Sequence, residues 1–263
     1  MDLGLRGKVA LVTAASKGLG RAIAEELAAE GASVVMCARG KEELARAAQA
    51  IRDATSGEIL DVQADVSSDA DIKRLIESAL DRFNQIDILV TNAGGPPSGP
   101  FESLGPEKWN DAIHLTLLSV VNLCRAVVPG MRERKWGRII NVTSITVKQP
   151  VDGLMLSNSL RAGVTGFART LANEVARDGI TVNNILPGYT RTERVESLAR
   201  AAAERDGTPI EESLKKWENE IPMRRIGEPR EFAALAAFLA SERASFITGT
   251  SITVDGGWTR SLL

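Results

Sequence analysis

The chain has 263 residues, 44% hydrophobic and 25% charged, with a formal net charge of -2. That balance offers no polybasic surface and excludes nucleic acid as an expected partner; the basic cluster Arg132, Arg134 and Lys135 is interrupted by Glu133 and reads as a solvated helix end. The single His114 excludes a His-rich metal site, and Cys37 and Cys124 lack paired spacing, so no metal and no disulfide is expected. No apolar stretch is expected to approach bilayer-spanning length and the N-terminus lacks an apolar signal core, so the expectation is a cytoplasmic protein without a membrane partner.

In chain order, residues 9–12 form an apolar run of strand length, and Leu19, Ile23 and Leu27 then switch to helical spacing, predicting a helix over 21–30 that stops at Gly31. A strand at 33–38, a helix at 41–52, a strand at 59–66, a helix at 69–84 and a strand at 86–91 follow. The loop 94–100 holds three prolines and three glycines and is expected to border a cleft. A long helix at 106–131, a strand at 138–142 and a helix at 159–177 come next, the last with Leu160, Val164, Phe167, Leu171 and Val175 on one apolar stripe. A sixth strand is expected at 180–186, a helix at 228–241 and a seventh strand at 251–255. Residues 191–222 break the alternation with two polar helical segments, 193–204 and 210–220, and read as a lid inserted into a single domain spanning 1–263, too short to own a core. Strict alternation with short connections predicts an α/β fold, a Rossmann-type doubly wound parallel sheet of about seven strands with helices on both faces.

The strand-turn-helix of residues 8–20 (KVALVTAASKGLG) has Gly18 and Gly20 where a backbone must approach a ligand, at a helix N-terminus whose free N–H groups favour an anion. An ordinary strand-to-helix turn would carry the same two glycines, so the later motifs decide. Taken with Asp65-Val66, Asn92-Ala93-Gly94, the run NVTS ending at Ser144, Pro187-Gly188-Tyr189-Thr190, and the tail motifs FITG (246–249) and VDGG (254–257), the chain resembles the short-chain dehydrogenase/reductase family over nearly its whole length. Within that family it looks most like the bacterial 3-oxoacyl-(acyl-carrier-protein) reductase group.

The resemblance implies that Thr13, Ser16, Lys17, Gly18, Leu19 and Gly20 hold a dinucleotide pyrophosphate, that Asp65 and Val66 border the adenine, that Asn92, Ala93 and Gly94 stand beside the cofactor, and that Pro187, Gly188 and Thr190 line the nicotinamide amide. One departure is Ala14, where the family has glycine; its Cβ demands a conformation that glycine would not. A family member preferring the cofactor without a 2′-phosphate places a carboxylate at the end of the second strand. Here that position is Ala38, with Arg39 beside it and Lys17 in the turn, which favours NADP(H) over NAD(H); the alternative is that both are solvated surface cations.

The family's reductases use a serine, a tyrosine, a lysine four residues later and an asparagine on the preceding long helix. Ser144 matches the serine. Ser157 stands at the tyrosine position, Arg161 at the lysine position and Thr116 at the asparagine position. A serine hydroxyl is far less acidic than a phenol and arginine holds its proton, so Ser157 does not simply replace tyrosine. The lone Tyr189 is read as a pocket-lining residue, and His114, in a helical stretch with no partner motif, is not expected to be catalytic. Two functions stay open: an oxidoreductase on a carbonyl or hydroxyl substrate, a small molecule or a 3-oxoacyl thioester, with Ser144 and Ser157 polarising the carbonyl and Arg161 fixing ribose hydroxyls or a substrate anion; and a catalytically weak NADP(H)-binding sensor or assembly partner. A structural protein without nucleotide would leave the glycine turn and Asn92 to Gly94 without purpose. By resemblance a homodimer or homotetramer is expected, with the helices around 106–131 and 159–177 pairing across a dimer axis and residues 251–263 helping to form tetramers.

Overall fold

A strand covered on both faces has to be apolar throughout, and β1 (Val9–Val12) is buried at all four residues. The computed structural model describes residues 2–55 and 57–262, so the outermost residues of the expected domain and tail, 1 and 263, lie outside it. After β1 come α1 (Gly18–Ala29), β2 (Ser33–Ala38), α2 (Lys41–Ala54), β3 (Ile59–Gln63), α3 (Asp69–Phe83), β4 (Ile88–Thr91), α4 (Pro106–Ile113), α5 (Ser119–Arg134) and β5 (Gly137–Val142). The chain continues with α6 (Met155–Val175), β6 (Ile180–Pro187), α7 (Glu193–Asp206), α8 (Ile210–Glu220), α9 (Pro229–Ala240) and β7 (Ser251–Val254).

The sheet has seven parallel strands in the order β3-β2-β1-β4-β5-β6-β7. From β1 the chain moves outward to β3, then returns to start the other half at β4, so the order reverses between β1 and β4. A crevice opens beyond the carboxyl ends of the strands at such a point. Alternate residues of each strand serve opposite faces. Ala10 and Val12 join Ile23, Leu27, Leu44 and Phe232 of α1, α2 and α9, while Val9 and Leu11 join Leu75, Leu123 and Val164 of α3, α5 and α6.

Several boundaries differ from the sequence expectation. Helix α1 begins at Gly18, three residues early, because the glycine turn itself supplies the first helical residues. β3 ends at Gln63, which leaves Asp65 and Val66 in the loop, and Ser68 then caps α3 by accepting the Asp71 N–H. Helix α6 begins at Met155, ahead of the apolar stripe, and so contains Ser157. On α6 the stripe is partly misassigned: Phe167 and Leu171 are only half-buried, whereas Ala168 and Ala172 face the core.

The long helix is also more than its periodicity predicts. Between α4 and α5 runs a π-helical turn, His114–Leu118, a rare widening that recurs at functional sites. The continuous run Pro106–Arg134 is long and apolar enough, by length and composition, to cross a bilayer, which corrects the expectation that no stretch approaches that length. In this fold Val120, Leu123, Cys124, Val127 and Met131 spend that apolarity on the core beside the sheet. The basic helix end is not merely solvated: Arg132 and Lys135 both pair with Asp178, and Arg134 with Asp87.

The segment carrying α7 and α8 does build a small cluster of its own. Val195 and Ile221 are buried there with Leu214 and Trp217 partly buried against them, but the cluster is completed by Ile226 beyond the segment and by Tyr189 and Trp258 from the loop after β6 and the tail after β7.

Candidate active site

The cleft starts where β1 ends. Thr13 is fully buried; its hydroxyl donates to the Asn92 carbonyl at 2.6 Å and accepts the Asn92 N–H at 2.8 Å, strapping the ends of β1 and β4 together. It lies beneath the cleft and does not line it, unlike the role the resemblance implies. Ala14 adopts φ 49°, a left-handed conformation costly for any residue with a Cβ, so the departure from glycine is accommodated as strain. A Cβ on Gly20 would come within 2.3 Å of the Ala14 carbonyl oxygen and 2.8 Å of Asn92 Nδ2, so only glycine lets α1 pack this close to β1. Lys17 at the N-cap contributes no capping side chain, which leaves the first N–H groups of the twelve-residue α1 open toward the cleft.

Ser16, Lys17, Gly18 and Leu19 form one end of a cavity of about 490 Å³, with exposed Arg39 on the same rim. Lys17 is not free here: its ammonium lies 2.5 Å from Glu193 at the start of α7 and 3.9 Å from Glu43, and the hydrogen bond to Glu193 raises its pKa. Asp65 and Val66 wall the cavity beyond β3, Asn92, Ala93 and Gly94 beyond β4, and Pro187, Gly188 and Thr190 beyond β6. Asp65 accepts from both the N–H and the hydroxyl of Ser67, which sets the turn. Gly188 is obligatory, since a Cβ would lie 2.5 Å from that of Asp255. An open helix N-terminus, a cradle that side chains would fill and a trough crossing the strand reversal are what a dinucleotide requires.

At the far end stand Ser144, Ser157 and Arg161. Ser144 follows β5 and its oxygen accepts the Thr146 N–H at 3.2 Å, leaving its own proton to donate. Ser157 is the third residue of α6 and 8% exposed; Arg161 lies one turn on and is 9% exposed. The Arg161 Nη1 donates to the carbonyls of Val142 and Thr143 at 2.8 and 2.9 Å, pinning α6 to the end of β5. Burial lowers its pKa to about 10, helped by the charge of Arg194, and it remains a cation at neutral pH.

Thr116 is not brought to the cleft. It sits in the π-helical turn, 4% exposed, beside a void of about 10 Å³ that it shares with Thr143 and the inner side of Arg161, and the hydroxyls of both threonines lack a partner among the described residues. Tyr189 lines the cavity wall, stacked on Trp217 at 4.4 Å and edge-on to Trp258 at 5.8 Å, and burial together with Glu220 pushes its phenol up to about 12. His114 is exposed, its Nδ1 2.9 Å from the Asn110 carbonyl, and takes no part in the cleft. Burial pushes both cysteine thiols up to about 12. No cluster of three metal-ligating side chains occurs among the described residues.

Arg194, in the first turn of α7, is, like its neighbour Glu193, a cleft residue that sequence reasoning missed. Its Nη2 donates to the Pro96 carbonyl at 3.1 Å, and a Cβ on Gly95 would lie 2.9 Å from Nε and Nη2. Nothing in the local sequence separates it from Arg191, which turns outward to pair with Glu228.

Comparison with known proteins agrees with this geometry. Residues 13–259 match the family described as enoyl-(acyl carrier protein) reductase. The chain is 37% identical over 255 residues to the 3-oxoacyl-(acyl-carrier-protein) reductase of Escherichia coli, covering 97% of this chain and 98% of that one. It is equally, 37%, identical over 266 residues to a D-beta-hydroxybutyrate dehydrogenase of Cupriavidus necator, covering 97% and 98%. Among solved structures, the L-sorbose reductase of Gluconobacter frateurii complexed with NADPH and L-sorbose superposes with a TM-score of 0.95 at 36% identity, each chain covered in full. An actinorhodin polyketide ketoreductase variant with NADPH gives 0.93 at 34% identity, covering 96% of this chain and 97% of that one. Similarity that runs the length of the chain, joined to a glycine cradle at the strand reversal, leaves one conclusion: the chain belongs to the short-chain dehydrogenase/reductase family.

Proposed function

We propose that the chain is an NADP(H)-dependent oxidoreductase acting on the carbonyl or hydroxyl group of a small molecule or acyl thioester, with Ser157 and Arg161 in place of the family's tyrosine and lysine. The observation that carries this reading is the single trough that joins the open N-terminus of α1 to Ser144, Ser157 and Arg161. Bound NADPH would supply a hydride to the carbonyl carbon, and in the reverse direction NADP+ would accept it. Gly18, Leu19 and Ser16 would hold the pyrophosphate, Arg39 with Lys17 the 2′-phosphate, and Gly94, Pro187 and Thr190 the nicotinamide end. The relatives solved with NADPH support the choice of cofactor.

Ser144 donates a hydrogen bond to the substrate oxygen and keeps its proton. Ser157 sits at the positive end of a 21-residue helix, and the Arg161 guanidinium lies one turn deeper. Negative charge growing on the oxygen as its π bond breaks is thus met by two hydroxyls, a helix N-terminus and a buried cation. The proton that completes the alcohol comes from solvent by way of Ser157. Electrostatic stabilisation replaces most of what an acidic phenol would contribute.

One observation favours the second reading, an NADP(H)-binding protein with little turnover. The chain's one phenol, Tyr189, is held in an aromatic stack with its pKa pushed up to about 12, and among the described residues that line the cavity with Ser157 the carboxylates are Glu43, Asp65 and Glu193, two of them paired with Lys17 and one bonded to Ser67. For assembly we propose a closed homodimer or homotetramer, supported by fully exposed Phe246 and Leu262. Equilibrium titration with NADPH and separately with NADH tests the main reading. Tighter binding of NADPH is expected; no binding of either at millimolar concentration overturns it, and tight binding without hydride transfer to any carbonyl compound selects the second reading.

A further inference from the structure

The charge in the cleft is unevenly divided. Its carboxylates, Glu43, Asp65 and Glu193, stand at the adenine and phosphate end, where Glu43 and Glu193 face Lys17 and Asp65 bonds to Ser67. At the other end two guanidiniums, Arg161 on α6 and Arg194 on α7, line the same cavity. Among the described residues neither has a carboxylate partner, and the one charge acting appreciably on Arg161 is the like charge of Arg194. Two cations lining one partly desolvated cavity repel, and an anion bound there would relieve that repulsion.

Arg194 is also oriented. The Pro96 carbonyl takes one Nη2 proton, and the absent side chain of Gly95 lets the guanidinium plane settle against the loop, so Nε and Nη1 are left without a protein partner among the described residues. A guanidinium fixed by one edge presents the other as a fork suited to a carboxylate. The cofactor phosphates have their own donors at the opposite end of the trough, at the start of α1.

We infer that the substrate of this cleft is an oxo acid or the corresponding hydroxy acid, its carboxylate held by Arg194 across from Arg161 while its carbonyl oxygen meets Ser144 and Ser157. This rests on the oxidoreductase reading above and narrows it away from thioesters, whose acyl carbonyl brings no charge to that end. Arg194 is then a specificity-determining residue, carried by α7 and held to the 94–100 loop by its bond to the Pro96 carbonyl.

The test is calorimetric, on protein saturated with NADP+, in which no hydride is available and binding is read without turnover. Pyruvate, acetoacetate and levulinate, which place the carbonyl at three distances from the carboxylate, are compared with their methyl esters in the wild type, Arg194→Ala and Arg194→Lys. A charged hydrogen-bonded contact corresponds to roughly 10- to 150-fold in affinity, so at least one acid is expected to bind tighter than its ester by about that factor. Arg194→Ala should erase the difference, Arg194→Lys should keep part of it, and NADP+ affinity should stay the same in all three. Equal binding of acids and esters overturns the assignment while leaving the oxidoreductase reading intact. So does an Arg194→Ala protein that loses NADP+ affinity but keeps its acid-to-ester ratio, which would make Arg194 a cofactor ligand. Wild-type protein that binds no NADP+ at millimolar concentration overturns both readings.

Discussion

On the proposed reading Ser157 stands at the proton donor's place but carries the wrong acidity for the task. Its position could be read by counting along the chain, because two residues four apart on a helix share a face, and the structure does put Ser157 and Arg161 together in the cleft. What could not be read is how Arg161 spends its donors. The bonds from Nη1 to Val142 and Thr143 depend on where β5 ends beneath α6, a tertiary fact. Thr116 illustrates the same limit: its place in the count was legible, but the π-helical turn that carries it below the cleft floor has no signature in apolar periodicity. Restoring Ser157→Tyr with Arg161→Lys brings back a phenol near a cation of ordinary basicity. General acid catalysis is typically worth about 10²–10⁴-fold, so the double variant should raise kcat toward that factor with the best carbonyl substrate, measured as NADPH oxidation. A double variant that binds NADPH normally yet turns over no faster would show that the helix N-terminus and Arg161 already supply what the chemistry requires.

At the scale of elements, the contact expected to tune cofactor affinity lies between the start of α1 and α7. Residues 191–222 were legible as an interruption, but a polar helix gives no sign of which of its charges points inward. Glu193 points at Lys17, the cation expected to meet a 2′-phosphate, and its hydrogen bond raises the Lys17 pKa, so the ammonium stays charged but occupied. Both side chains are more than half exposed, and such a pair contributes little to stability. Its effect is competition. A 2′-phosphate has to displace Glu193, so Glu193→Gln should tighten NADPH by up to roughly fivefold, the range of an exposed ion pair, and leave NADH unchanged. The gain should shrink in about 0.5 M salt, where screening falls within a few ångströms. Equal tightening of both cofactors in a fluorescence titration would place the effect at the pyrophosphate instead and remove Lys17 from the 2′-phosphate site.

For the whole molecule, the seven-strand order follows from features that local sequence does carry: short apolar strands, helices between them, and a glycine turn after the first strand. Both large clusters belong to that sheet, one on each face. A smaller centre, around Val195, Ile221 and Trp217, was not legible, because it is completed by Tyr189 and Trp258, which come from separate stretches of the chain and meet only when the sheet has formed. Its dependence on borrowed residues leaves α7 and α8 with little buried apolar surface of their own, and regions of that kind open first. Their connection passes through Gly207 at φ 67°, Thr208 and Pro209, and the first cut by a nonspecific protease is therefore expected near residue 208, ahead of any cut within the sheet. NADPH alone should slow that cut little, because its phosphate contacts lie on α1. NADP+ with a bound oxo acid should slow it about tenfold or more, since an acid held between Arg194 and Arg161 ties α7 to α6 and opening must then break that contact as well. Protection by the nucleotide equal to that by the ternary complex would mean that α7 closes on the cofactor, and that Arg194 acts there in place of the substrate.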